Sequence, residues 1–425
     1  MDNFEEIDDI CDLQHRIHEE FVKRDLGSNC PQVILLNCTR SESCDHTEAT
    51  KDTVFIGNNL SESEQKQFQK KLEEIEKTYK NADTFYGFMI MKKNFSSEYI
   101  QGVARNTLKN FNFESKPAQL VAVLTLLNVY CKGAVLSVSL CEEFLQLQPY
   151  CASQKVEDEF GKFSTLLTRC TVEAKVVYEA IRSIHPRMAE CCLQELTTTY
   201  NVSRAEILNT LLTNSTFYEC TQGKDKLMQD VRNMLLKRHH SKEESLFSPV
   251  IKAIIKDTPG AEEMVLHNAA KRFDKDAIIS QLLARYQYLK KKDFRQAKEW
   301  ARKAKEISRE SSHISDTAAQ VIKHELKHAI ASRKDDKDPM TPEKLRDHLK
   351  MALSARDAFR ETQDIAKKER AQETRAPFNT AGYLGEISVA VIIIDILEKN
   401  NTRPAASWVQ IGRGRKGQNR ANADS

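Results

Sequence analysis

Two sets of residues in this 425-residue chain have types and spacings that could carry chemistry. The first comprises the pair Asp2-Asn3, Arg40 at the carboxyl end of the apolar run Gln32-Val33-Ile34-Leu35-Leu36-Asn37-Cys38-Thr39-Arg40, and His185 just ahead of Pro186. A carboxylate at Asp2 would hold magnesium on a triphosphate. Arg40 would reach the terminal phosphate, because ligands of open α/β sheets sit outside the carboxyl ends of the strands. Read singly, Arg40 ends a buried strand and His185 packs ahead of a proline. No G-x-x-x-x-G-K-[ST] occurs in the chain, and Gly412-Arg413-Gly414-Arg415-Lys416-Gly417 lacks the spacing, the following Ser/Thr and a preceding strand. The phosphate cradle is therefore missing. No cofactor is expected, with ATP or ADP and magnesium binding only if a phosphate-loop half is supplied in addition.

The second set is compact. His324-Glu325-Leu326-Lys327-His328 is an H-E-x-x-H string inside a helical pattern. Its i, i+4 spacing puts both imidazoles on one face to bind zinc, with Glu325 as general base toward a metal-bound water. Against this zinc-protease alternative, Lys327 places a cation between the two ligands. The third-ligand candidates Glu343 and His348 also lie beyond a loop holding Asp335, Asp336 and Pro339. The competing expectation is a charged face of a helical repeat with no metal.

The elements that would position these residues follow from composition and period. A charged fraction of 29% beside 40% hydrophobic residues reads as a soluble globular chain of about two to four domains. Net charge is only +3, so no global field forces a nucleic-acid or membrane partner. The eleven cysteines form no C-x-x-C, which fits reduced thiols and cytoplasmic residence. Cys38, Cys44 and His46 could chelate, but apolar neighbours favour buried small hydrophobes. The longest apolar stretch, 387–397, is interrupted by Ser388 and Asp395 and is too short to span a bilayer.

Residues 1–57 read as helix, strand and polar loop, the second half of a P-loop nucleotide-binding core. From Ser61 a capping box with Glu64 opens a helical region, 58–150, that carries Phe68, Leu72, Ile75 and Tyr79 on one face. Residues 151–200 combine a helix near 164–167, a β-branched stretch at 172–178 and a helix after Pro186, the pattern of a small winged-helix domain. Over 201–399 every strong signal is helical. There Ala284, Tyr288, Ala297, Ala301 and Ala304 fall at the small and aromatic positions of a helix-turn-helix repeat of about 34 residues, the tetratricopeptide spacing. A second, degenerate unit starts at His313, so the region reads as an irregular helical solenoid with a concave partner surface. Residues 400–425, rich in Gly, Arg and Asn, cannot bury enough apolar surface to order themselves. The expected class is mainly α, with a P-loop remnant, a winged-helix-like domain and a tetratricopeptide-like array. A basic run of Lys290, Lys291, Lys292, Arg295, Lys298, Arg302, Lys303 and Lys305 could bind phosphates, yet Asp293, Glu299 and Glu306 interleave it as on a solvated helix. The tail cations Arg413, Arg415, Lys416 and Arg420 lack interleaved aromatics, so nucleic-acid binding is expected to be weak or absent.

Taken in order, an acidic residue, a strand ending in Thr-Arg, helices, a winged-helix-like His-Pro and repeats resemble signal-transducing NTPases of the STAND class. In that class the strand-end arginine senses the terminal phosphate and the winged-helix histidine contacts nucleotide, roles that fall here to Arg40 and His185. Leu60-Ser61-Glu62-Ser63-Glu64-Gln65, Lys71-Leu72-Glu73-Glu74-Ile75-Glu76-Lys77, Phe85-Tyr86-Gly87-Phe88-Met89-Ile90-Met91-Lys92, Leu246-Phe247-Ser248-Pro249 and Lys292-Asp293-Phe294 are similar to the central region of the sterile alpha motif domain-containing protein 9 and 9-like family. The similarity runs from residue 1 to roughly 400. It implies antiviral restriction, translational or growth control, an innate-immune role and a link to endosome fusion. In that family a sterile alpha motif, a basic nucleic-acid-binding nuclease domain, a Sir2-like region and the P-loop half would precede this region, and an OB-like domain would follow. The family's acidic pair stands here as Asp2-Asn3, whose amide cannot act as a carboxylate base. With the Gly/Arg tail, this points to a partial, non-enzymatic product. It would be a nucleotide-switch remnant joined to a scaffold that binds proteins through its repeats, or else a module competing with full-length relatives.

Overall fold

The computed structural model describes residues 17, 19–21, 60–79, 85–93, 96–147, 155–174, 176–219, 222–238, 246–332, 341–372 and 378–401. The chain divides into two compact units, Met1–Lys71 and Leu72–Ser425. The fold is mainly helical, with one small antiparallel sheet among the described residues.

Helix α1 (Glu62–Thr78) starts at the capping box read from the sequence. The Ser61 N–H donates to Glu64 Oε2 at 2.8 Å, and the Glu64 N–H donates back to Ser61 Oγ at 3.3 Å. Two of the helix's orphan donors are thereby satisfied.

In the second unit, Leu72 near the end of α1 packs with Met89 of α2 (Tyr86–Lys92). Helix α3 (Ser97–Leu108) is capped by Ser96, whose Oγ accepts from the Tyr99 N–H. The centre is α4 (Lys116–Tyr130), with nine buried residues between Ala118 and Leu127 spread around its whole circumference. A helix apolar on every side has to be enclosed. It is, by α7 (Pro186–Thr198), α8 (Arg204–Thr213) and the sheet.

After α4 come β1 (Leu136–Ser137), α5 (Val138–Leu145), α6 (Val156–Phe160), a 3₁₀ turn (Gly161–Leu166), β2 (Leu167–Val172) and β3 (Tyr178–Ser183). The strand order is β1-β3-β2, all antiparallel, with Leu136 opposite Ile181 and Cys170 opposite Ala180. Part of the sequence reading shifts here. The 164–167 segment is the 3₁₀ turn and the first residue of β2, and the β-branched run at 172–178 is largely the connection between β2 and β3. Val176 and Val177 are exposed there. Branching at Cβ favours strands only where a half-buried pleated surface receives it, and Tyr178, Ala180 and Ile181 supply the buried face of the hairpin.

Helices α9 (Thr216–Glu219), α10 (Lys224–Leu236), α11 (Pro249–Asp257) and α12 (Ala261–Arg272) complete a single apolar core that runs from Ile90 to Tyr286. Arginines tie distant segments around it. Arg204 Nε donates to the Tyr130 hydroxyl at 3.0 Å and its guanidinium meets Asp257. Arg272 lies 4.1 Å over the Tyr218 ring while its Nε donates to the Leu212 carbonyl at 2.8 Å.

The remaining helices stack in sequence: α13 (Ala277–Tyr286), a π turn (Gln287–Lys291), α14 (Phe294–Ile307), α15 (Ser312–Ala331), α16 (Pro342–Gln372) and α17 (Ala381–Asn401). Ala284, Tyr288, Ala297, Ala301 and Ala304, singled out by their spacing, are all buried. Small side chains on α14 let its backbone approach α13 closely. No helix among the described residues is long and apolar enough to cross a membrane.

Candidate functional site

Asp2, Asn3 and Arg40 lie outside the described residues, so of the phosphate-sensing set only His185 is placed. It leaves β3 in extended conformation and forms the N-cap of α7, where its Nδ1 accepts the Arg187 N–H at 3.2 Å. Pro186 occupies the first helical position, where its missing N–H costs nothing. Ser183 fixes the approach: its hydroxyl donates to the His185 carbonyl at 3.3 Å, and its N–H donates to Asn128 Oδ1 of α4 at 3.1 Å. With Nδ1 accepting, a neutral ring carries its proton on Nε2.

The H-E-x-x-H string lies on α15, against the α13–α14 hairpin. That hairpin is shaped locally by Lys292, in the left-handed region at φ 59°, and by Asp293, whose carboxylate accepts the Gln296 N–H at 2.9 Å to cap α14. The structure brings the two imidazoles to two different aromatic rings of the hairpin. His324 sits 4.9 Å from the Tyr288 ring and His328 sits 5.4 Å from Phe294, both tilted. Glu325 is engaged separately, accepting from Lys298 Nζ at 2.6 Å. Burial pushes the His324 imidazole down to about 4, helped by the neighbouring cations Lys323, Lys327 and Lys292. His324 is thus a neutral ring at physiological pH. Of the third-ligand candidates, Glu343 is exposed in the first turn of α16 and His348 is buried further along the same helix. Among the described residues no group of three or more His, Cys, Asp or Glu side chains could hold a metal ion.

The basic run resolves into ion pairs. Lys291 meets Glu263 at 2.7 Å, Lys298 meets Glu325, Arg302 meets Glu306, and Lys305 meets Glu361 of α16 at 2.6 Å. Lys303 covers the Trp300 ring at 4.9 Å. Of the acids in these pairs only Glu306 belongs to the run itself; Glu263, Glu325 and Glu361 come from α12, α15 and α16 and engage three of its lysines. Between α14, α15 and α16 a groove of about 520 Å³ has Ala301, Ala318, Ile322 and Met351 among its lining residues, with Lys298 and Lys350 also bordering it.

Sequence reasoning passed over a cluster where α13 meets α15. Burial and the nearby Arg238 hold the Arg285 guanidinium below the usual arginine range, and burial raises the Asp316 carboxyl. Arg285 also donates to the Leu246 carbonyl at 3.2 Å. Only tertiary contact brings these groups together, so no local signal could have revealed the cluster. Cys131, Cys141, Cys170, Cys191 and Cys192 are free thiols, and burial raises Cys131 to about 12 and Cys192 further. Thiols held protonated in this way are poor nucleophiles.

Comparison with known proteins supplies the lineage. The chain is 38% identical over 417 residues to human sterile alpha motif domain-containing protein 9-like, covering 94% of this chain and 26% of that protein. It is 37% identical over 416 residues to human sterile alpha motif domain-containing protein 9, again over 94% of the chain and 26% of the relative. The mouse 9-like protein is 36% identical over 415 residues, 94% of the chain and 25% of its own length. The chain therefore spans about a quarter of the length of the curated relatives it matches. No protein-family model matches it, and no solved structure does. Identity at this level along nearly the whole chain places it within the sterile alpha motif domain-containing protein 9 and 9-like family.

Proposed function

We propose that the chain acts as a non-enzymatic switch-and-scaffold segment of a cytoplasmic innate-immune regulator, with protein partners engaged by its carboxyl-terminal helices. The observation that carries this reading is the buried small-residue ladder Ala284, Ala297, Ala301 and Ala304 with Tyr288, which supports a tetratricopeptide-like array. Such arrays present extended surfaces to other proteins rather than catalytic clefts. The antiviral role and the link to endosome fusion rest on family membership alone.

The switch half of the reading draws on the element order around the sheet. The β2–β3 hairpin followed by α7, with β1 beside β3, supports the winged-helix-like reading of residues 151–200. His185 lies immediately beyond the last strand, at the start of α7, where a ring could report on a nucleotide held by a neighbouring P-loop core. Asp2 and Arg40 would contribute magnesium and terminal-phosphate contacts to that core.

Calorimetric titration with magnesium-ATP tests the proposal. The 425-residue chain alone is expected to bind nothing. Addition of the P-loop half of a relative should restore binding, and Arg40→Ala should weaken it about tenfold or more, the scale of one lost charge-assisted contact. Unchanged affinity in Arg40→Ala would remove Arg40 from the site. Elemental analysis of the same sample is expected to find no zinc; one zinc per chain that is lost in His328→Ala would replace the scaffold reading with a metalloenzyme.

A further inference from the structure

Helix α17 is apolar almost all the way round, yet only one side of it is covered. Val389, Ile392 and Ile396 are buried in the core shared with Ala319, Leu326, Ala352, Ala355 and Phe359. On the opposite side Leu384, Ile387, Val391, Ile394 and Leu397 are 64, 61, 52, 53 and 43% exposed. A helix apolar on both sides belongs in an interior.

The helix cannot rotate to hide this face. A Cβ at Gly385 would lie 2.2 Å from the Phe359 ring, and one at Gly382 would lie 2.9 Å from the Phe359 carbonyl oxygen. The two glycines therefore seat α17 directly on α16. Polar contacts lock the same rotation: Arg360 Nε donates to Glu386 at 2.7 Å, and Gln363 Nε2 donates to Glu386 at 2.6 Å. The outward stripe follows from that seating.

The stripe has the repeat of a helix–helix seam. Leu384, Ile387, Val391 and Ile394 recur at intervals of three, four and three residues, which is the a/d spacing of a coiled coil. A surface of this kind calls for a second apolar helix. In the 24 residues that follow α17, from 402 to 425, the large apolar side chains are Trp408, Val409 and Ile411 alone, fewer than the five exposed on the stripe, and they are flanked by Arg403, Arg413, Arg415, Lys416 and Arg420. The four seam positions from Leu384 to Ile394 are all apolar, with the exposed Asp395 and Glu398 only at the carboxyl end of the stripe. A second copy running antiparallel would therefore set apolar residues against apolar residues and keep the two acidic ends apart. The exposed side chains present roughly 500 Å² of apolar surface; pairing two such faces would bury about 1,000 Å², the lower bound for a specific interface.

We propose that α17 is a self-association surface on which a second copy of this chain docks through the Leu384, Ile387, Val391 and Ile394 stripe. This proposal stands apart from the nucleotide reading and uses no residue of that site.

Sedimentation velocity on the full chain, from about 1 to 100 µM, tests it. The expected result is a reversible monomer–dimer equilibrium with a dissociation constant of about 1–100 µM, as befits a small interface. Ile387→Glu with Val391→Glu should abolish the dimer, and so should Ile387→Lys with Val391→Lys. An equimolar mixture of the acidic and basic variants should restore it, because opposite charges then face each other across the seam. Helicity and melting temperature of each variant confirm folding, which exposed positions should preserve. A wild-type monomer across the whole range overturns the proposal. So does a dimer that survives in both variants, or two folded monomeric variants that fail to pair when mixed. A monomer whose melting temperature falls in Val391→Glu would mean that the chain's own segments cover the face, and that too overturns it.

Discussion

The body from Ile90 to Tyr286 and the helical stack from Ser312 onward bury their apolar residues in different ways. In the body, large side chains from eleven helices and the sheet meet around α4 in one continuous core. In the stack, the core of α15, α16 and α17 is thin and built on alanine and glycine, with Phe359 as its one large fully buried ring. An interlocked core fails when volume is removed, because many neighbours lose contacts at once. A stacked core fails when volume is added, because each layer is held by close backbone approach. The first kind encloses its helices completely, and the second leaves its outermost helix with an uncovered side. That difference accounts for the uncovered apolar side of α17.

The sharpest break of this contrast is Leu126→Ala on α4. Removing a fully buried leucine should cost about 2–5 kcal/mol in the global urea unfolding of the body. Gly385→Ala is the opposite experiment. Its added methyl meets Phe359 and should cost about 1–3 kcal/mol. Hydrogen exchange should show that loss confined to α16 and α17, with body amides unchanged; loss of protection across α4 would mean that the two regions unfold as one.

A third test sharpens the hairpin side of the comparison. The His324 pKa of about 4 lies below its ordinary 6.5, so the unfolded chain binds a proton in this window that the folded chain refuses. The associated stability is complete above pH 6.5 and declines as pH falls toward 4. After allowance for partial screening, the stack should lose about 1 kcal/mol between pH 7 and 5. His324→Phe should flatten that part of the profile, and an identical slope in the variant would show that other groups carry it. The smallest effect is expected at Lys292, whose left-handed backbone at φ 59° suits glycine. Lys292→Gly should raise the melting midpoint by the equivalent of about 0.5–1 kcal/mol, and a fall instead would give the lysine side chain a packing role.

Much of the helical architecture was legible because its signals are local. The Ser61–Glu64 capping box is present as read, and the alanine spacing around Tyr288 marked the buried side of the α13–α14 hairpin. The His-Pro step before α7 was equally local, and His185 indeed starts that helix. The strands were not legible in the same way. Val176 and Val177 have strand propensity but sit in the exposed connection, while β1 pairs with β3 across forty-odd residues. No window of sequence contains that pairing. The H-E-x-x-H spacing also read correctly as one helical face, but the sequence could not tell what that face meets. In the fold it meets Tyr288, Phe294 and Lys298.

By itself, the sequence determined where helices begin, which side of the hairpin is buried, and the lineage, since capping, period and long shared strings are properties of the chain read in order. Tertiary structure alone decided that a metal-like histidine pair would be spent on aromatic packing, that a basic run would be neutralised by acids from α12, α15 and α16, and that α17 would turn its apolar stripe outward. Each of these depends on which groups arrive from distant segments. The glycines at 382 and 385 gain a meaning only once Phe359 is placed beneath them.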